Sequence, residues 1–476
     1  MIETILDCKM YDWTDGQNNL KIVFWGTIVF EDGEQTLTET IRRVALLFIQ
    51  YKETAFEKIS GIFSAIITDG AHYYLIKSVI GSPVDLYFTK TKETFIISNK
   101  LCFLLDKMEQ VEPCEERISD EFLKYGFLTG SATLIRNVEK IPVGKCFVID
   151  SNGELVADYS LEIPAGKRRT EQNAMEAYPK LIRNVIERQI GNEKKIAVTM
   201  SSGYDSNYLA WNMSMIAENT LDAFCIGGKK GRNEIENAKA LADMYGNVSL
   251  HTRLVDSDTL KHYPEIIWRL EGSVYERGIF LQYELAKLVA KTGYSSIIEG
   301  DGADQVMHEN FYFSERPAAV DIWHERPDIA LRYIVLPKNM KMMNSFGIKT
   351  SYPYLDNQVI SCLNDLKKCN GNSKKFHKQI VSECIGKELK NRICDSGGTT
   401  HLAALLENTS IFLTKRDEWK LPSYEELRER CGERETEQIL DVYFKALYLE
   451  LFYKVFIDDR RWWEEQYGKE NESSFF

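Results

Sequence analysis

Lys195-Ile-Ala-Val-Thr-Met-Ser-Ser-Gly-Tyr-Asp-Ser206 is an apolar strand that runs into a serine–glycine turn and out into a helix. Such a turn gathers backbone amides and a helix N-terminus at one point, which is how proteins hold phosphate without basic side chains. Ser201, Ser202 and Ser206 add hydroxyl donors, and Gly203 lets the backbone come close to the oxygens. Asp205 would repel a bare phosphate, so its place in this loop makes sense with a divalent cation between the two. A plain strand-to-helix turn with a capping Ser or Asp is the alternative. A second turn weighs against it: Ile297-Ile-Glu-Gly-Asp-Gly-Ala-Asp304 ends a later apolar run with two further aspartates. In a parallel sheet both turns would lie at the carboxyl ends of strands, where open α/β folds bind ligands. There Asp205 and Asp304 could share one hard cation.

Around these turns, residues 174–300 alternate helices with short apolar strands. KIAVTM, LDAFCIG, VSLHTRLV and SSIIEG are separated by SNYLAWNMSMIAE, NEIENAKALADMY and FLQYELAKLVAKTG. That alternation predicts a parallel sheet covered by helices on both faces. Upstream, IPAGKRRTEQ has no apolar period and reads as a linker. The first 110 or so residues carry β-branched and aromatic runs such as LKIVFWGTIVF, GIFSAIITDG and HYYLIKSVI, interrupted by the amphipathic ETIRRVALLFIQYKETAF. GKCFVIDSNGELVADY predicts a closing hairpin about Ser-Asn-Gly. The expected fold class is therefore α/β, with a sheet-rich α+β unit over 1–165 and a parallel-sheet unit over 170–476, mainly helical beyond about 305.

With 476 residues, 44% of them hydrophobic and 27% charged, the chain has an ordinary globular composition. A formal charge of -12 argues against a surface that coats nucleic acid. The start shows no secretory signal, and no apolar run is long enough for a bilayer, so no membrane association and a cytoplasmic location are expected. Ten scattered cysteines without CxxC spacing predict reduced, mostly buried thiols, Cys8 among them. Lys229-Lys-Gly-Arg232 and the pair Lys374 and Lys375 read as solvated. Trp462-Trp463 and the run Tyr448–Phe456 read as packing for a last helix.

The two acidic turns resemble the asparagine synthetase family, whose phosphate loop reads Ser-Gly-Gly-x-Asp-Ser; here Ser202 replaces the first glycine. Ser351-Tyr-Pro-Tyr-Leu-Asp356 is similar to the family's Arg-Val-Pro-Phe-Leu-Asp. Gly61-Ile-Phe-Ser-Ala and Ile141-Pro-Val-Gly-Lys resemble N-terminal stretches of the same family. The likeness implies an Ntn-hydrolase-like, class II glutamine amidotransferase-type sandwich before an ATP-pyrophosphatase domain. It implies ATP and Mg²⁺, with Ser201, Ser202, Gly203, Tyr204, Asp205 and Ser206 around pyrophosphate, Met200, Ile226 and Gly300 around adenine, and Asp205 and Asp304 on the metal. Glutamine-hydrolysing members place a cysteine directly after the initiator Met. This sequence has Ile2, which implies an inactive glutaminase and an amine from solution or from the substrate.

The same loss occurs in β-lactam synthetases and lasso-peptide cyclases, and Lys390-Asn-Arg-Ile-Cys-Asp-Ser-Gly-Gly-Thr-Thr400 resembles the β-lactam synthetase lysine loop. The likeness makes Lys390 the residue that steadies developing negative charge. Asp301 stands where asparagine synthetases have an acid and β-lactam synthetases a tyrosine, so it is the candidate acceptor of the amine's proton. The expected function is an ATP-dependent amide ligase acting on a small-molecule or peptide carboxylate, by intramolecular cyclisation, in natural-product or modified-peptide biosynthesis. A homodimer or partner biosynthetic proteins would be in keeping with it. Ammonia-dependent asparagine synthesis and a degenerate, non-catalytic partner protein are the alternatives.

Overall fold

Strict alternation of apolar side chains builds the N-terminal half into two stacked sheets. One sheet has the order β10-β9-β5-β4-β3-β2 and is antiparallel throughout. Its strands are β2 (Tyr11–Thr14), β3 (Asn19–Val29), β4 (Ser60–Thr68), β5 (His72–Lys77), β9 (Lys145–Asp150) and β10 (Leu155–Ser160). On it lies the sheet β1-β7-β6-β8, made of β1 (Ile2–Ile5), β6 (Tyr87–Lys90), β7 (Phe95–Ser98) and β8 (Glu139–Lys140). Ile22, Phe63, Ile76 and Val148 face the helix Leu37–Tyr51, while Val23, Ile66, Leu75 and Phe147 face the second sheet. One-residue alternation across four strands fixes the register, because a slip would turn both faces over. The structure, a computed structural model, describes residues 2–30, 36–163, 169–191, 196–228, 234–309, 311, 322–370, 373–386, 402 and 433–458.

The C-terminal half holds five strands in the order β13-β12-β11-β14-β15, every neighbouring pair parallel. They are β11 (Ala197–Thr199), β12 (Leu221–Gly228), β13 (Val248–Val255), β14 (Ser296–Ile298) and β15 (Lys349–Ser351). Both faces are covered, as the continuous apolar strands require. Val198, Ala223 and Ile298 pack with Tyr178, Ile182, Leu209 and Met213 on one side; Ala197, Phe224 and Ile297 pack with Ile279 and Tyr283 on the other. The chain leaves β11 toward β12 and returns on its opposite side as β14, so the strand order reverses between β11 and β14. That reversal opens a crevice at their carboxyl ends. β15 was not legible as a strand: Lys-Thr-Ser has no apolar signal, and pairing with β14 alone makes it one.

The aromatic run at the end of the chain packs as expected. The helix Glu433–Tyr453 buries Tyr448 and Phe452, and Tyr448 meets Phe122 of the N-terminal half with ring centroids 5.5 Å apart. Polar groups cross the same seam. Asp85 is almost fully buried, bonded to Lys77, 2.7 Å from Lys341 Nζ and 3.9 Å from Lys140. Glu271 receives hydrogen bonds from the Leu101 amide (2.8 Å), the Tyr87 hydroxyl (3.1 Å) and Lys341 (3.2 Å).

Cys8, Cys102, Cys114, Cys146, Cys225, Cys362 and Cys384 are free thiols. Cys8 departs from the expected core position: it is exposed in the bend between β1 and β2. Its sulfur is nonetheless partly covered, and that desolvation, followed by the adjacent Asp7 carboxylate, pushes its thiol up to about 12. Among the described residues no helix is long and apolar enough to cross a membrane. Lys229–Arg232, Lys390 and Trp462–Trp463 lie outside the described residues.

Candidate active site

A cavity of about 580 Å³ opens at the carboxyl ends of β11, β12 and β14, at the reversal point of the sheet. Its floor is the loop that follows β11. The Met200 amide donates to Phe224 O (2.8 Å), which carries the strand pairing one residue past β11 and fixes where the loop starts. The loop then closes on itself: the Ser201 amide and hydroxyl lie 3.0 and 2.7 Å from Ser206 Oγ, and the Gly203 amide donates to Ser201 Oγ (3.0 Å). Asn207 Nδ2 holds the carbonyls of Ser201 (2.6 Å) and Gly203 (2.7 Å). The helix Tyr204–Ile216 starts at Gly203 with no side-chain cap, so the amides of its first turn face the cavity unclaimed by a capping oxygen. Gly300 must be small: a Cβ there would sit 3.1 Å from Ser206 N and 3.3 Å from its Cα. The two loops touch backbone to backbone.

Of the residues singled out from sequence, Met200, Ser201, Gly203, Tyr204, Asp205, Ser206, Ile226, Gly300, Asp301 and Asp304 all line this cavity. Ser202 does not. It is fully buried, its amide is taken by Glu234 Oε1, and its hydroxyl has no hydrogen-bond partner among the described residues. The turn directs the side chain at this position into the protein, so Ser202 can offer a ligand only the shape of its backbone.

Asp205 and Asp304 are brought together, and the group between them is a lysine. Lys374 Nζ lies 2.6 and 2.7 Å from the two Asp205 oxygens and 2.7 Å from Asp304 Oδ1. Its expected place in solvent is therefore corrected: the helix Ser373–Ile385 aims its first turn at the loop, and four-fifths of the Lys374 side chain is covered. His377, one turn on and wholly buried, places Nε2 3.0 Å from Asp205 and Nδ1 2.9 Å from the Tyr178 hydroxyl. Burial opposes charge on Asp205, but Lys374 and His377 outweigh it and hold the carboxyl well below its ordinary range. Burial keeps His377 low, against the pull of Asp205. Among the described residues no three His, Cys, Asp or Glu side chains converge as a metal cage. Two carboxylates that already share one cation do fit Mg²⁺, which typically takes one or two protein carboxylates and completes its shell with phosphates and water.

At the far wall the carboxyls shift the other way, toward the protonated form. Asp301 is held above its ordinary pKa by burial, with Asp205 and Asp304 adding to the effect and Lys338 and a hydrogen bond from Asn339 opposing it. Two residues before it, Glu299 is fully buried and accepts from the Tyr352 hydroxyl (2.9 Å) and Gln282 Nε2 (3.3 Å). Burial and then Asp301 push its carboxyl up to about 8. Lys338, which bonds Glu276 at 2.9 Å, is the cation facing this acid pair. Desolvation works against its charge, but Glu276, Asp301 and Glu299 hold its pKa above the ordinary value. Lys374, His377, Lys338, Glu276 and Glu299 were not singled out as site residues from sequence. Glu299 and Tyr352 had a usable signal, since both stand inside quoted motifs as a carboxylate and a hydroxyl in otherwise apolar runs. Glu271 lies away from the cavity, at the seam between the halves.

Residues 177–329 match the family model described as asparagine synthase. Among characterised sequences, a probable glutamine-hydrolyzing asparagine synthetase of Dictyostelium discoideum is 22% identical over 216 residues, covering 41% of this chain and 38% of that one. A putative glutamine-hydrolyzing asparagine synthetase of Methanocaldococcus jannaschii is 18% identical over 324 residues, covering 65% and 57%. The chain thus spans less than two thirds of the length of these relatives. Among solved structures, the NMN synthetase of Francisella tularensis aligns at 12% identity with a TM-score of 0.25, covering 64% of this chain and 96% of that one. At that score the likeness carries no weight for function.

Proposed function

Because the chain belongs to the asparagine synthetase family, we propose that it is an ATP-dependent amide ligase that adenylates a substrate carboxylate and passes the acyl group to an amine. The observation that carries this reading is the convergence of Asp205 and Asp304 on one cation beside the uncapped helix start of the phosphate loop. In it, the first-turn amides after Gly203, with the Ser201 and Ser206 hydroxyls, receive the β- and γ-phosphates. Phe224, Cys225 and Ile226 at the end of β12 give the adenine an apolar wall. Mg²⁺ held by Asp205 and Asp304 would neutralise charge on the departing pyrophosphate. The substrate carboxylate displaces pyrophosphate from the α-phosphorus, and the amine then displaces AMP. Asp301 takes the proton that the amine loses; its raised pKa brings it nearer to neutral pH, where a carboxylate is a more effective base. By its resemblance, Lys390 steadies charge during acyl transfer.

The amine is read as coming from the substrate itself, in a cyclisation of the β-lactam or lasso-peptide kind. In support, the thiol of Cys8, the first cysteine of the chain, is pushed up, so it is not a ready thiolate for glutamine hydrolysis. The test is pyrophosphate release from ATP in the presence of a broad panel of amino-bearing carboxylates and peptides, with Asp205→Ala as control. One or more carboxylates should elicit release that the variant loses. Silence across the panel would count against a ligase. The names of the relatives favour a second reading, asparagine formation from aspartate, ATP and ammonium, and absence of asparagine from that mixture dismisses it.

A further inference from the structure

Lys374 stands where a divalent ion would have to stand. It meets both oxygens of Asp205 and one of Asp304 within 2.7 Å, so its ammonium bridges the two carboxylates. Those are the oxygens that Mg²⁺ would take at about 2.0–2.1 Å, a distance that leaves no room for an ammonium between the same atoms. The lysine is also well anchored. Ser373 donates to Met307 O at 3.1 Å, Asp205 O receives the Tyr354 hydroxyl at 2.9 Å, and His377 backs Asp205 from within the core.

We propose that Lys374 is a built-in counter-cation that holds Asp205 and Asp304 together before metal arrives and must be displaced for a divalent ion to load. The inference rests on the reading of this cavity as a metal–nucleotide site and goes beyond it. A tethered ammonium competes with free metal at no cost in translational entropy, so a bare divalent ion binds weakly. A metal that arrives on a nucleotide brings phosphates with which the displaced ammonium can pair again. The site therefore selects the metal–nucleotide complex over the free ion. It also keeps two facing carboxylates from repelling one another before metal arrives.

The experiment titrates Mn²⁺ into the full-length protein without nucleotide, following free Mn²⁺ by its electron paramagnetic resonance signal. Wild type, K374R and K374Q are compared, and Mg·ATP is titrated into each by calorimetry. If the lysine-free state of the site is populated at roughly a tenth, removing Lys374 should tighten Mn²⁺ about tenfold. K374R should behave as wild type. Mn²⁺ affinity in K374Q equal to or weaker than wild type overturns the proposal, even with Mg·ATP binding intact. Failure of wild type to bind Mg·ATP sinks the nucleotide-site reading itself. Should K374Q unfold in metal-free buffer, recovery of its circular dichroism with Mn²⁺ but not with K⁺ supports the proposal, and no recovery with either overturns it.

Discussion

Glu299 is fully buried and has an acidic neighbour two residues away, so its proton is bound unusually tightly. Between its ordinary 4.5 and about 8, the unfolded chain sheds this proton while the folded chain keeps it. The folded state then binds more protons, so stability falls as pH rises through that window, by at most about 1.4 kcal/mol per pH unit from this one group. Glu299→Gln removes the proton but keeps a side chain that Tyr352 and Gln282 can still hydrogen-bond. Urea midpoints measured across the window should flatten in the variant, which gains on wild type toward pH 8; parallel curves would show that Glu299 ionises normally. At this scale the sequence was only half legible. Asp205, Asp301 and Asp304 stood in recognisable turns, but Lys374 looked like any lysine at a helix start. Its role depends on where the Ser373–Ile385 helix points, and that is set by packing contributed from far along the chain.

The phosphate loop and the acidic loop meet at Gly300, where two backbones come as close as a missing Cβ allows. Gly300→Ala would push against the Ser206 backbone, which cannot rotate away as a side chain would. A cost of about 1–3 kcal/mol in stability is expected, together with nucleotide affinity weakened about tenfold, equivalent to some 1.4 kcal/mol. Calorimetry with ATP and a denaturant curve check both, and unchanged affinity would mean that the loops move independently. The helix Leu336–Ser345 shows how one element serves two regions: Lys338 and Asn339 face Asp301, while Lys341 reaches back to Asp85 and Glu271. Strands with apolar runs, from β3 to β14, were readable because two-residue alternation or continuous burial leaves a mark on composition. β15 left none, since Lys349–Ser351 become a strand only by adding to an edge already built.

Across the whole molecule the two halves are joined by charge as well as by aromatic packing. Asp85, from the N-terminal half, is the central anion among Lys77, Lys140 and Lys341, with burial keeping Lys77 low and Lys140 at about 8 despite it. Asp85→Asn leaves those cations short of a buried partner, and a loss of about 3–5 kcal/mol is expected on removing one side of such a pair. Chemical denaturation measures it; a loss within 1 kcal/mol, roughly that of an exposed pair, would show the seam to be hydrated. The order of sheets was legible because each half carries its own period. The seam was not, because its partners lie hundreds of residues apart, as Asp85 and Lys341 do, and Phe122 and Tyr448. We propose that Asp205 and Asp304 form one metal–nucleotide site at the strand-order reversal. Its most direct test is calorimetric titration of Mg·ATP into wild type and Asp205→Asn. Binding that requires Mg²⁺ and is lost in the variant is the predicted result; binding equally tight in both, or none in wild type, would contradict it.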